Sequence, residues 1–202
     1  MASEHYFSSE PESLMRRRTI SVTLAGRELE LTTAAGVFSP DRVDAGTAVL
    51  LADVPTPPTS GHLLDVGCGW GPITLSLALS SPDATVWAVD VNKRVLELVR
   101  ENARAAGLEN VNAVEPDDVP ADLRFSTIWS NPPIRVGKNE LHGLLTRWLP
   151  RLEVGSDAWL VVQKNLGADS LQKWMNSELG DVVDVTRAST SKGYRVLTAH
   201  RR

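Results

Sequence analysis

Two stretches of this chain combine residue types and spacings that can do chemistry. The first is Leu63-Leu64-Asp65-Val66-Gly67-Cys68-Gly69-Trp70-Gly71-Pro72, in which an apolar run ends in an acid and three glycines follow at alternate positions. Glycines at that spacing let the backbone turn sharply and approach a ligand closely, and a helix beginning at Gly71 offers unpaired N–H groups at its start. Dinucleotide-binding turns use Gly-x-Gly-x-x-Gly, whose last glycine packs helix against strand. Here the third glycine comes one residue earlier, and Pro72 stands where that pattern requires glycine. Proline loses nothing at a first helical position, because its missing N–H would be unpaired there anyway. The loop therefore disfavours a pyrophosphate and favours a nucleoside ligand without phosphates. Asp90 ends the next expected strand, 19 positions after Gly71, where an acid can accept both hydroxyls of a ribose.

The second stretch, Ser130-Asn131-Pro132-Pro133-Ile134, follows the apolar segment 125–129 and lies 60 residues after Gly71. Two prolines remove two backbone donors and hold the chain extended, so the carbonyls beside them cannot join a ladder. The Asn131 side-chain oxygen and the Pro132 carbonyl can then accept two hydrogen bonds from one planar –NH2 group, turning its lone pair toward an electrophilic methyl group. Positioning and hydrogen bonding to developing positive charge suffice for such a transfer, since the proton can depart afterward.

The elements that must position these loops alternate regularly. Strand 62–66 precedes helix 71–80, and strand 85–89 precedes helix 92–106, with Asn92 as cap and Gly107 as stop. Strands follow near 111–114 and 125–129, then helix 139–149, strand 158–163 and helix 168–178. Strands near 182–186 and 194–199, joined by a Ser189–Gly193 turn, complete the chain. This pattern predicts an α/β fold: a doubly wound, seven-stranded, mostly parallel sheet with an antiparallel edge hairpin, binding ligands at the carboxyl ends of its strands. Residues 19–32 alternate apolar and polar around Ala25-Gly26 and predict an amino-terminal β-hairpin. Asp44 precedes a short helical pattern through Leu51 that Pro55-Thr56-Pro57-Pro58 ends. We expect residues 1–36 to be an extension and 37–202 the main domain, together one compact unit.

Composition narrows the function classes. At 202 residues and 42% hydrophobic content the chain can fill one sizeable core. Neither a membrane span nor a secretory signal is expected, so the cytoplasm is the expected location. One cysteine, Cys68, excludes an internal disulfide, and the four histidines show no ligand spacing, so no metal is expected. A net charge of −4 argues against binding nucleic acid by bulk electrostatics, though a local basic patch remains compatible with it. Nothing in the sequence sets an oligomeric state.

Asp-x-Gly-x-Gly-x-Gly resembles motif I of the class I S-adenosylmethionine-dependent methyltransferases. The whole chain resembles the small methyltransferase-domain family whose members include guanine-N2 methyltransferases of small-subunit ribosomal RNA. The resemblance runs through His5-Tyr6-Phe7, Gly36-Val37-Phe38-Ser39, Asp44-x-Gly46-Thr47, the glycine loop, Asn131-Pro132-Pro133-Ile134, Gln163-Lys164, Gly167-Ala168 and Lys192-Gly193-Tyr194-Arg195. It implies a Rossmann-like fold and S-adenosylmethionine as cofactor. It also implies that Asp65, Gly67, Gly69, Gly71, Asp90 and Val91 hold the nucleoside, and that Asp117 meets the adenine. By the same resemblance, Phe38, Ser39, Asp44 and Thr47 line the methionine end and the entrance to the target pocket. Asn131, Pro132 and Pro133 form the catalytic loop, with Asn131 also touching the cofactor. Ile134, where many relatives carry a phenylalanine that could stack on a base, joins Arg135, Lys138 and Lys164 at the substrate. Ser126 stands where an acid is common, and only one copy of the domain is present.

The function expected from these features is N-methylation of an exocyclic amine, guanine N2 of ribosomal or other structured RNA in first place, with the RNA or ribosomal subunit as partner. Arg135, Lys138, Arg147 and Arg151 could meet its phosphates, and the Arg16-Arg17-Arg18 run could help. The alternatives are adenine N6, a protein glutamine amide or a small metabolite as acceptor, or a cofactor-binding module that assists RNA recognition without turnover. A nicotinamide dehydrogenase is opposed by Pro72.

Overall fold

The computed structural model describes residues 16–202. The His5-Tyr6-Phe7 segment lies outside the described residues. The chain begins with a hairpin, β1 (Arg17–Leu24) and β2 (Arg27–Ala34), turning at Ala25 and Gly26. Both turn residues have positive φ, 46° and 76°, which matches the twist of a two-residue hairpin. Helix α1 (Ala45–Asp53) follows, and Pro55 stands one residue past its C-cap Val54.

The main unit alternates β3 (Ser60–Val66), α2 (Pro72–Ser80), β4 (Asp83–Val89), α3 (Lys93–Ala105), β5 (Val111–Val114), β6 (Phe125–Ser130), α4 (Lys138–Trp148), β7 (Leu152–Gln163) and α5 (Ala168–Glu178). It closes with β8 (Val183–Ser191) and β9 (Tyr194–Arg201). The sheet order is β5-β4-β3-β6-β7-β9-β8, with β3 to β7 parallel and β9 antiparallel to both of its neighbours. From β3 the chain winds outward to β5, then crosses back to β6 on the other side of β3. The order therefore reverses between β3 and β6, and a crevice opens there at the carboxyl ends of the strands.

Successive residues of the central strands serve opposite faces, as a strand's period of two requires. Leu63, Trp129, Val161 and Val196 pack with α1 and α2, while Leu64, Ile128, Leu160 and Leu197 pack with α4 and α5. Burial on both faces explains why these strands read as continuous apolar runs. The hairpin is bound to the same body. Leu24, Leu31 and Ala34 pack with Trp70, Leu75, Val95 and Leu98, and the buried Asn102 of α3 pairs with both main-chain groups of Thr32.

Two bounds differ by more than two residues from the sequence expectation. β7 starts at Leu152, because its first residues pair beside Phe125 before a register shift brings Asp157 opposite Thr127. The β8–β9 turn narrows to Lys192 and Gly193, φ 47° and 82°, because Ser189, Thr190 and Ser191 remain in the ladder. Among the described residues no helix is long and apolar enough to cross a membrane.

Candidate active site

The glycine loop forms one wall of the crevice. Its start is tied to β4, with Gly67 and Cys68 both donating to the Val89 carbonyl at 2.8 and 3.1 Å. Gly67, Gly69 and Gly71 have φ of 75°, 52° and 102°, a region that L side chains rarely adopt. A Cβ at Gly71 would press on Val99 of α3 at 3.3 Å, so this glycine serves helix packing. A Cβ at Gly69 would meet nothing within 4 Å, so open space lies above the loop. Pro72 begins α2, as its missing donor allows.

Asp65 and Asp90 do different work. Asp65 is fully buried beneath the loop and accepts from both the N–H and the hydroxyl of Thr74, at 2.9 and 2.6 Å, thereby anchoring the first turn of α2. Burial pushes its carboxyl up to about 7, against the opposing effect of the Thr74 bonds. Thr74, which sequence reasoning did not single out, is Asp65's partner from the far side of the glycine loop. The Asp90 carboxylate lies at the end of β4, accepting from Gly69 N–H at 3.2 Å and Asn92 N–H at 2.9 Å. Its pKa is also raised, by burial, which these backbone donors partly offset. Cys68 is buried, and burial holds its thiol high and unreactive.

The Asn-Pro-Pro loop forms the opposite wall. Ser130, the last residue of β6, donates to the Val66 carbonyl at 2.6 Å and ties the ends of β6 and β3 together. A Cβ placed on Gly67 would lie 3.8 Å from the Pro133 ring, so the two loops face each other directly. The Asn131 amide nitrogen donates to Asp44 Oδ2 at 2.9 Å and to Thr47 Oγ1 at 3.1 Å. Asp44 Oδ2 is also the cap of α1, accepting from Gly46 and Thr47 N–H at 2.8 and 3.2 Å. One carboxylate thus starts a helix and fixes an amide 87 residues away. With its nitrogen held, Asn131 keeps its Oδ1 as an acceptor.

The remaining expected residues lie around this crevice. Ser39, with φ 48°, sits in a loop that Trp70 holds through an indole bond of 3.1 Å to the Ser39 carbonyl, and it leaves Phe38 exposed. Val91 is likewise exposed beside Asp90. Asp117 lies on a single 3-10 turn after β5, where its exposed carboxylate pairs with Arg147 at 2.8 Å. Pro132 is buried, and Ile134 packs toward α4 and α5. Arg135, Lys138 and Lys164 are exposed and, among the described residues, in no ion pair.

Four of the candidate phosphate contacts are committed elsewhere. Arg147 holds Asp117 and the Pro116 carbonyl, while Arg151 bonds the Leu123 and Pro120 carbonyls and lies over the Phe125 and Trp148 rings. Of the basic run, Arg17 pairs with Glu101 and Arg18 with Asp41. Among the described residues no group of three His, Cys, Asp or Glu could hold a metal ion.

A seven-stranded sheet of this order, with a glycine loop and an acid on neighbouring strands, defines the class I S-adenosylmethionine-dependent methyltransferases. Within that class the chain belongs to the methyltransferase small domain family, whose profile matches residues 28–198. It is 38% identical to the uncharacterized protein YbxB of Bacillus subtilis (strain 168) over 98% of both chains. It is 40% identical to ribosomal RNA small subunit methyltransferase C of Salmonella choleraesuis (strain SC-B67) over 54% of this chain, but spans only 32% of that enzyme. The fold matches the T. thermophilus 16S rRNA N2 G1207 methyltransferase (RsmC), solved with AdoMet and guanosine. That match has a TM-score of 0.81 at 24% identity, over 96% of this chain and 52% of that one.

Proposed function

We propose that this chain methylates the exocyclic amine of a nucleobase in structured RNA, guanine N2 in the first instance. The observation that carries this reading is the held Asn131 amide, whose nitrogen Asp44 and Thr47 occupy on a loop facing the glycine turn. The open space above Gly69 and the Asp90 carboxylate beside it fit a nucleoside cofactor. When bound, S-adenosylmethionine supplies an electrophilic methyl group and departs as a neutral thioether. Asp90 would accept from the ribose hydroxyls, and Val91 and Asp117 would border the adenine. The backbone of Gly67, Gly69 and Gly71 and the Phe38-Ser39 loop would hold the rest, with Asp65 fixing the loop from beneath.

Asn131 Oδ1 and the Pro132 carbonyl accept the two N–H bonds of the target amine, which turns its lone pair out of conjugation and toward the methyl group. As the nitrogen becomes positive, these two oxygens stabilise it, and the excess proton leaves to water. Pro133 fixes the course of the loop. Arg135, Lys138 and Lys164, exposed around the Asn131 side of the crevice, fit the phosphates of an RNA whose target base is unstacked, a step costing a few kcal/mol. The names of the Salmonella and T. thermophilus relatives support ribosomal RNA as the acceptor, and with it a cytoplasmic location.

The test is methyl transfer from labelled S-adenosylmethionine to small-subunit RNA and subunits taken from a strain lacking this gene, followed by nucleoside analysis. N2-methylguanosine is the expected product. N6-methyladenosine would reassign the acceptor, and cofactor binding with no transfer to any RNA would favour a non-catalytic module.

A further inference from the structure

We propose that Tyr194 is the aromatic platform of the acceptor pocket, its ring lying against the face of the nucleobase whose amine Asn131 receives. The proposal rests on the reading of the chain as a nucleobase methyltransferase.

Tyr194 opens β9 at the carboxyl edge of the sheet, opposite Gln163, the last residue of β7. Its side chain lies on the α1 face, where Val196 two residues on is fully buried, but Tyr194 itself is only half-buried. The ring reaches the first turn of α1. A Cβ at Gly46 would lie 2.9 and 3.3 Å from two of its carbons, and 3.0 Å from Asp44 Oδ2. Glycine inside a helix costs about 1 kcal/mol relative to alanine. At Gly46, however, alanine would collide with the ring, so α1 carries the residue that admits it. The same Asp44 oxygen that touches this turn holds the Asn131 amide at 2.9 Å. Ring and amide are therefore neighbours through a single carboxylate.

Two further observations favour a base-facing role. Ile134, directly after the catalytic prolines, packs toward α4 and α5 and presents no planar surface. The backbone entering Tyr194 is anchored, because the preceding Gly193 carbonyl accepts from Lys164 N–H at 2.9 Å, linking the β8–β9 turn to the loop after β7, and the ring itself rests on the first turn of α1. A preorganised ring loses little freedom on meeting a base. Burial, and secondarily the Asp44 charge, raise the Tyr194 hydroxyl pKa, which keeps the ring neutral.

The experiment compares wild type, Tyr194→Phe and Tyr194→Leu in steady-state methylation of the RNA, with S-adenosylmethionine affinity measured by calorimetry. Tyr194→Phe should stay within about twofold of wild type, and Tyr194→Leu should raise KM for RNA about tenfold or more, the scale of base–aromatic stacking. The affinity for S-adenosylmethionine should be unchanged in both. Wild-type KM in Tyr194→Leu, or a parallel loss of cofactor affinity, would overturn the platform role while leaving the methyltransferase reading intact. A loss in Tyr194→Phe equal to that in Tyr194→Leu would overturn it too, by placing the effect on the hydroxyl. No RNA methylation by wild type would overturn the reading and the platform together. Should Tyr194→Leu fail to fold, ring-labelled tyrosine in the wild-type chain gives an independent test, because the chain has only 2 tyrosines. Adding guanosine monophosphate to the protein saturated with S-adenosylhomocysteine should shift the Tyr194 ring signals upfield, assigned by their loss in Tyr194→Phe. Unshifted signals at saturating nucleotide would overturn the proposal.

Discussion

Once Asp44 and Thr47 have taken the Asn131 nitrogen, the amide can only accept at its other end, and an amine is the partner that suits it. We expect Asn131→Ala to bind S-adenosylmethionine normally and to lose at least about a hundredfold in kcat, as for a group acting mainly in the transition state. Turnover near wild type would remove the role. Asp44→Asn is the gentler probe, since asparagine caps a helix about as well as aspartate. It should leave stability nearly unchanged while lowering kcat by about tenfold, because a neutral acceptor holds the Asn131 amide less strongly than a carboxylate does. A kcat equal to wild type would show that the amide needs no anchor.

Asp65 has a separate signature. Its carboxyl titrates at about 7 in the fold and at the ordinary 3.8 when exposed. Between those values the folded chain keeps a proton that the unfolded chain releases, so this group's contribution to stability is lost as pH rises toward 7. The change is on the order of a few kcal/mol. In urea titrations across that range, Asp65→Asn should flatten the decline, and an unchanged slope would show that Asp65 is ionised in the fold.

At the scale of elements, the hairpin and the glycine loop are joined by one side chain of α3. Asn102 accepts from Thr32 N–H at 2.8 Å and donates to the Thr32 and Trp70 carbonyls, both at 3.0 Å. The edge of β2 is thereby closed as a neighbouring strand would close it, and the residue between Gly69 and Gly71 is fixed to the same point. Asn102→Ala would strand these groups, so we expect a loss of about 2–4 kcal/mol in urea denaturation. A weaker affinity for S-adenosylmethionine should accompany it. Loss of stability with unchanged affinity would mean that the hairpin does not brace the loop.

Across the whole molecule, charge divides along the carboxyl edge of the sheet. The loops after β4 and β5 carry Asp90, Glu115, Asp117 and Asp118, with Lys93 and Arg147 pairing two of them. The loops after β6 and β7 and the β8–β9 turn carry Arg135, Lys138, Lys164 and Lys192, all without an ion pair among the described residues. A cationic cofactor and a polyanionic acceptor suit these two halves, despite a net charge of −4. RNA affinity should therefore fall on the order of 10- to 100-fold between about 50 and 200 mM salt, while cofactor affinity barely moves. Filter binding at several salt concentrations measures this, and a flat RNA response would deny the basic half its role.

Much of this was legible in the chain itself. Apolar runs of strand length, Gly67 to Gly71 at alternate positions, Pro72 at a helix start and the paired prolines after Asn131 are local features, and local steric and hydrogen-bonding rules decide them. They specified the alternation of elements, the two loops and the caps at Asp44 and Asn92. What they could not specify was proximity between residues remote in sequence. Arg147 and Arg151 look like free cations on a helix until the 116–124 segment folds against them. Tyr194 looks like one more strand aromatic until Gly46 makes room for its ring. Asn131 meets Asp44 and Thr47, 87 and 84 residues away, because the chain crosses back to set β6 beside β3. That crossing is fixed by how both faces of the sheet are buried, which is a property of the assembled core and of no single segment.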